Sequence, residues 1–329
     1  MISRITLVEL AKKSGISKSV LSRALNNSPG VDYETWKAAK KAAETFGYRI
    51  KPLSGCQVGV ILPSTPGFFW HGAYLALNAP WAESYPRKAV ACYPGHSSAE
   101  DICSLIDEMA ESGVNVLILP VTYVEVKEHL EKYRDVIGVF QLCEYTELDN
   151  SFIFASDGYS DGRTLAEFIL SRNPDSRALI IESGTDLSKC RISGFTDNFP
   201  GDRVVGSIDA PQNIPTRYKS SVYASRMSEV AGDTPPDYVV CSSGMLTYAA
   251  AAIIKCGWRG KTRCVGFETP PTLSRYVDEG LIAATIEQDI IGECVAAEDA
   301  ARRLLTEYRH PTRRYNFIPG RIHIFEPSE

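Results

Sequence analysis

The 329-residue chain is 44% hydrophobic and 23% charged, with nine cysteines and a formal net charge of −5. Such a length points to two or three domains, and the composition excludes disorder and collagen-like repeats. No apolar run reaches the roughly 20 residues of a membrane helix, and the N-terminus lacks the apolar stretch of a secretory signal. The cysteines are scattered, never spaced C-x-x-C, and sit mostly in apolar surroundings such as those of Cys143 and Cys241. They read as buried free thiols, ahead of the alternatives of a disulfide framework or a zinc site. The expectation is a cytoplasmic chain with no membrane partner, no metal and no cofactor.

The charge is unevenly spread. Residues 1 to 53 hold ten Lys/Arg against four Asp/Glu, a net of +6, which leaves −11 for the remainder. Any surface that seeks a polyanion is therefore confined to the first sixth of the chain.

That segment reads as three helices. TLVELAKK opens with a capping box between Thr6 and Glu9, places Leu7, Leu10 and Ala11 on one face, and is stopped by Gly15. Ser17 caps a second helix running to about Asn26, with Val20, Leu21, Ala24 and Leu25 apolar and Lys18, Ser19, Ser22 and Arg23 polar. Asp32 caps a third, in which Trp36, Ala39, Ala43 and Phe46 keep helical spacing before Gly47. A tight turn between the first two helices is the arrangement of a helix-turn-helix, whose second helix offers short polar and basic side chains to the major groove. A small helical subdomain with a solvated basic face is the plainer alternative.

The stretch from Ile5 to Arg49 resembles the DNA-binding headpiece of the lactose-repressor (LacI/GalR) family, through Ala11 and Gly15, the segment Ile16 to Asn26, Val31, and Gly47-Tyr48-Arg49. The resemblance implies that Lys18, Ser19 and Arg23 face base edges. Thr6, Ser17, Ser22 and Asn26 would then contact phosphates or fix the helix on the backbone. The chain departs from the family at Ile50-Lys51-Pro52-Leu53-Ser54-Gly55-Cys56-Gln57, where a hinge helix with a wedging leucine is usual. Gly55 and the missing apolar face argue against such a helix and against kinking of DNA by an inserted side chain.

From Val58 onward, short apolar runs alternate with amphipathic stretches. Runs at 58–63, 88–94, 114–120, 136–142, 177–184, 237–244 and 262–268 read as strands buried on both faces, and between them AEDICSLIDEMAESG, DGRTLAEFILSRN and MLTYAAAAIIKCGW read as helices. The pattern is doubly wound parallel α/β, with sites at the carboxyl ends of strands. Suggestive residues occupy those ends: the aromatics of Pro66 to Trp70, then Arg191, Ser243, Glu268 and Gln288. Ordinary packing is an alternative for each taken singly.

Together, and above all from Cys264 to Leu305, this part resembles the two-lobed, periplasmic-binding-protein-like (type I) body that follows the headpiece in the same family. The resemblance implies that Phe68 and Phe69 sandwich a sugar ring and that Arg191, Glu268 and Gln288 bind its hydroxyls. Two departures, Ser243-Gly244 for an Asn-Asp pair and Glu268 for an Asp, alter the polar groups of the pocket. Enzyme motifs fail: GWRGKT has Lys255 where a P-loop needs glycine, and no G-x-S-x-G, H-E-x-x-H or short-range histidine pair occurs.

The expected organisation is an all-α three-helix headpiece (1–49), a short linker (50–57) with the hinge helix shortened or absent, and an effector-binding and dimerisation domain (58–329). Its lobes would comprise 58–155 with 289–317, and 156–288 with 318–329. The expected function is that of a transcriptional repressor without catalytic residues, binding operator DNA as a homodimer under control of a carbohydrate-like small molecule. The alternatives are a small-molecule binding protein whose headpiece has lost DNA binding, and an enzyme fused to a helix-turn-helix.

Overall fold

The computed structural model describes residues 5–28, 30–48, 57–64, 68–79, 87–95, 97–210 and 214–326. The linker segment 50–56, and with it the question of a hinge helix, lies outside them.

The first three helices follow their capping chemistry. Helix α1 (Leu7–Ser14) begins where the Glu9 N–H donates to Thr6 Oγ1 at 3.3 Å and the Glu9 carboxylate accepts from the Thr6 N–H at 2.7 Å. It ends at Gly15, whose φ of +74° suits a residue without Cβ. Helix α2 (Lys18–Leu25) is capped by Ser17, and α3 (Tyr33–Phe46) by Asp32 and Gly47. Their shared core is Leu10, Leu21, Ala24, Leu25, Trp36, Ala39 and Ala43.

The body continues in chain order as β1 (Val58–Ser64), α4 (Phe68–Asn78), β2 (Lys88–Pro94), α5 (Ala99–Glu111), β3 (Val116–Leu119), α6 (Val124–Leu130), β4 (Gly138–Leu142) and β5 (Ser151–Ala155). Then come α7 (Gly158–Arg172), β6 (Ala178–Glu182), α8 (Asp186–Thr196), β7 (Val204–Asp209), α9 (Thr216–Ala231), β8 (Tyr238–Cys241), α10 (Leu246–Lys255) and β9 (Arg263–Phe267). The chain closes with α11 (Ser274–Asp278), β10 (Ile282–Glu287), α12 (Ile290–Glu307), β11 (Tyr315–Phe317) and β12 (Arg321–Ile324).

These strands form two six-stranded sheets, ordered β11-β5-β4-β3-β1-β2 and β12-β10-β9-β8-β6-β7. The pairs β1–β2, β1–β3, β3–β4, β4–β5, β6–β7, β6–β8, β8–β9 and β9–β10 are parallel, while β12 runs antiparallel to β10. Every residue of β3 and β8 is buried, as expected of strands covered by helices on both faces. Contacts divide the chain into two compact units, 1–155 with 290–316, and 156–289 with 317–329. The three N-terminal helices belong to the first. No described helix is long and apolar enough to cross a membrane.

Five strands, β5, β7, β10, β11 and β12, escape the reading of apolar runs, as do α4, α6, α8, α9, α11 and α12. The aromatic segment after β1 is not simply a loop, because α4 starts at Phe68. Likewise α7 starts at Gly158, three residues before the expected Asp161.

Candidate functional site

In the second unit the carboxyl ends of β6, β8, β9 and β10 are followed by Ser183, Ser242, Glu268 and Gln288 respectively. Helix α8 starts just beyond β6, where the Thr185 hydroxyl accepts from the Ser188 N–H at 3.3 Å. Two glycines press α8 onto α7: a Cβ at Gly162 would lie 1.9 Å from the Arg191 carbonyl oxygen, and one at Gly194 would lie 2.0 Å from that of Tyr159. A small group of serines fastens the start of α8. Ser188 Oγ donates to Ser242 Oγ at 2.5 Å, and the Ser183 N–H donates to both hydroxyls.

This packing buries Arg191, which is 3% exposed. Its Nη1 donates to the Ser242 carbonyl at 3.1 Å, and its Nη2 to Gln288 Oε1 at 2.9 Å and Ser156 Oγ at 3.5 Å. The guanidinium lies 3.7 Å from the centre of the Phe267 ring, a close cation–π contact in a desolvated place. A planar fork fixed on several sides presents its donors in one geometry, which a lysine does not.

Two carboxyls lie within electrostatic reach of this cation. Burial pushes Glu268 up to about 7 and Glu287 adds to the rise, while the nearby Arg191 opposes it. Asp161, almost fully buried, is also raised by burial and again opposed by Arg191. Glu268 adopts φ +73°, with its N–H donated to the Ile286 carbonyl and its own carbonyl accepting from Thr285 Oγ1. Gly244 is adjacent, since a Cβ there would be 3.1 Å from Glu268 Cγ. The two departures noted in the sequence are thus complementary in space, the longer acid lying where position 244 has no side chain.

Arg191, Glu268 and Gln288 are therefore brought together, joined by Asp161 and Ser156, which the sequence reading missed. The available signal was Asp157, a helix cap four residues before Asp161, placing the latter inside the first turn of α7. Ser243 sits beside the cluster, but it is the Ser242 carbonyl that holds Arg191; the Ser243 carbonyl accepts from the Met245 N–H. Phe69 lies in the first turn of α4 in the other unit, its ring edge-on to Trp70 at 5.1 Å. The Phe68 side chain falls outside the described residues.

In the N-terminal helices, Lys18, Ser19 and Arg23 are exposed on α2, and among the described residues neither Lys18 nor Arg23 forms an ion pair. Thr6 and Ser17 are engaged as helix caps, and Ser17 Oγ lies 3.2 Å from Ser19 Oγ. Ser22 is half-buried, and its carbonyl accepts from Asn26 Nδ2 at 2.8 Å.

No protein-family model matches the sequence, and no curated protein matches it. Solved structures do. A glucose-galactose binding protein, GanP from Geobacillus stearothermophilus, is 16% identical over 82% of this chain and 97% of its own, with a TM-score of 0.71. A Caulobacter myo-inositol binding protein bound to myo-inositol is 18% identical over 84% and 95%, at a TM-score of 0.68. The fructose-binding periplasmic domain of a hybrid two-component system is 17% identical over 82% and 90%, at 0.67. At these identities the likeness shows the fold: two α/β lobes with parallel sheets, of the type I periplasmic-binding-protein-like kind.

Proposed function

We propose that this chain is a receptor for a small polyhydroxylated molecule, bound at the Arg191 cluster, and that its N-terminal helices read duplex DNA under control of that ligand. The observation that carries the first half is the buried Arg191 fork with Gln288, Asp161 and Glu268 around it. A fixed cation among carboxyls offers the paired donors and acceptors that a ring of hydroxyls needs, and Phe267 gives an apolar floor to the guanidinium. The ligands named for the similar structures, glucose or galactose, myo-inositol and fructose, put neutral carbohydrates and polyols first among candidates. A neutral ligand also suits carboxyls whose charge is already disfavoured by burial.

The second half rests on α2. Its Lys18 and Arg23, without an ion pair among the described residues and exposed beside Ser19 on a capped helix behind a tight turn, form a surface suited to a major groove. A repressor acting as a homodimer on a pseudo-palindromic operator is the form this takes in the resembling family, and it is our working reading. The rival, a binding protein whose headpiece has no DNA role, is favoured by the sugar-binding neighbours.

A thermal-shift screen against sugars, sugar phosphates, polyols and nucleosides tests the receptor; no hit in any class would remove the Arg191 cluster as a ligand site. Selection of a binding duplex from a random pool, followed by anisotropy at several salt concentrations, tests the reader. Arg23→Ala is expected to lose the selected duplex while keeping the ligand-induced melting shift. Retention of operator affinity by that variant would displace α2 as the reading helix.

A further inference from the structure

The first sheet ends on one side at β2, and an edge strand exposes unpaired N–H and C=O groups. Here the edge is met by the N-terminal helices. The Cys92 N–H donates to the Asn27 carbonyl at 2.7 Å. Asn27 is buried at φ +49°, a conformation that asparagine tolerates better than most residues. Its side chain is used at both ends: Oδ1 accepts from Trp36 Nε1 at 3.0 Å, and Nδ2 donates to Glu108 Oε2 at 3.4 Å.

Around this joint, α3 faces α5 with matched charge. Lys40 Nζ donates to Glu108 Oε1 at 2.6 Å and lies 4.8 Å above the Trp36 ring. The Tyr33 hydroxyl donates to Asp101 Oδ2 at 3.2 Å, and Lys37 Nζ stands 3.8 Å from Asp101 Oδ1. The Gly30 N–H reaches Ser64 Oγ at 2.9 Å. Beneath these polar contacts the apolar core of the three helices runs without a break into Ala91, Tyr93, Ile102 and Leu105 of the lobe.

We infer that α3 clasps the lobe through α5 and β2, so that the three helices are a fixed part of the first unit and not a tethered headpiece. The clasp sorts the basic residues of the N-terminal segment by task. Lys37 and Lys40 are paired with Asp101 and Glu108, whereas Lys12, Lys13, Lys18, Arg23 and Lys41 are exposed, and of these Lys18 and Arg23 lie on the α2 face assigned to a polyanion. The orientation of that face then depends on the lobe itself, which makes a folded hinge helix unnecessary to set it. What this means for DNA rests on the reading of α2 proposed above; the clasp does not.

The test compares the full-length protein with Lys40→Glu, Glu108→Lys and the double exchange, each checked for helix content by circular dichroism. Without DNA, the Cys92 amide of the wild type is expected to exchange with solvent about 100-fold or more slower than an open peptide. Lys40→Glu places like charges together and is expected to lose that protection, which the double exchange restores. Exchange of Cys92 at the open-edge rate in the wild type would overturn the clasp, as would full protection in both single variants.

Binding of the selected duplex is measured on the same proteins. Loss of at least about tenfold in affinity for Lys40→Glu, with recovery in the double exchange, is expected; a lysine lost from a direct phosphate contact would not be rescued by Glu108→Lys. Failure of the double exchange to recover overturns the role of the clasp in presenting α2. If no duplex binds the wild type, the reading of α2 fails, and the exchange of Cys92 still decides the clasp.

Discussion

At the scale of single residues, Glu268 and Arg191 make the sharpest demands. Folded Glu268 keeps its proton up to about 7, against an ordinary value of 4.5. Between those values the native chain binds a proton that the unfolded chain has released. Stability from this group is therefore complete below about pH 4.5 and lost as pH rises through about 7. Glu268→Gln should remove the loss, gaining about 1–2 kcal/mol over the wild type near pH 8 and nothing near pH 4, as read by urea unfolding. An equal effect at both pH values would contradict the assignment. Arg191→Lys keeps the charge but loses the fork to Ser242 and Gln288, so it should weaken the ligand found by thermal shift at least about tenfold while leaving a folded protein. Arg191→Ala is the harsher change, because it leaves the buried Asp161 and the half-buried Glu268 without their cation, and it should cost about 3 kcal/mol or more. Arg191 was visible in the sequence as a residue after a strand; Asp161 and Ser156 were not, because their nearness to it spans 30 and 35 positions of chain.

At the scale of elements, the site depends on the crossing of α7 and α8. Gly162 and Gly194 let the two backbones meet where no Cβ has room. Gly162→Ala should therefore lower stability by about 3 kcal/mol or more and displace Arg191, and a loss of both ligand binding and urea midpoint would report it. A glycine also marks the missed start of α7, Gly158, where a Cβ would lie 2.8 Å from Leu187 Cδ1 of α8. Gly158 is a poor helix former, and the reason for its presence lies in another helix. Strands were missed for a related reason. Three of the five, β7, β11 and β12, are sheet edges with largely exposed or half-exposed residues, so they lack the continuous apolar run by which central strands announce themselves. Capping, by contrast, is local, and Thr6, Gly15, Ser17, Asp32 and Gly47 act in the structure as their sequence positions imply.

At the scale of the whole chain, eight of the nine cysteines are described, and all eight are free. Cys92, Cys143, Cys241, Cys264 and Cys294 are buried, whereas Cys103, Cys190 and Cys256 are partly open. Alkylation of the native protein should label the latter three first, and the five buried thiols only after denaturation; mass mapping checks the order. Rapid native labelling of Cys92 would also speak against the joint with Asn27. The amino-acid sequence by itself determined the capped N-terminal helices, strands β1 to β4, β6, β8 and β9, the split of charge into a basic start and an acidic body, and the scattered thiols, free among the described residues. Each depends on neighbours in the chain or on composition. Tertiary structure alone decided that Asp161 and Ser156 join Arg191, Gln288 and Glu268, that Gly244 lies beside the longer acid, and that Lys37 and Lys40 pair with Asp101 and Glu108 of the lobe. Those facts depend on which strand ends and helix faces meet, and a packing contact between distant segments leaves no periodicity in the sequence to be read.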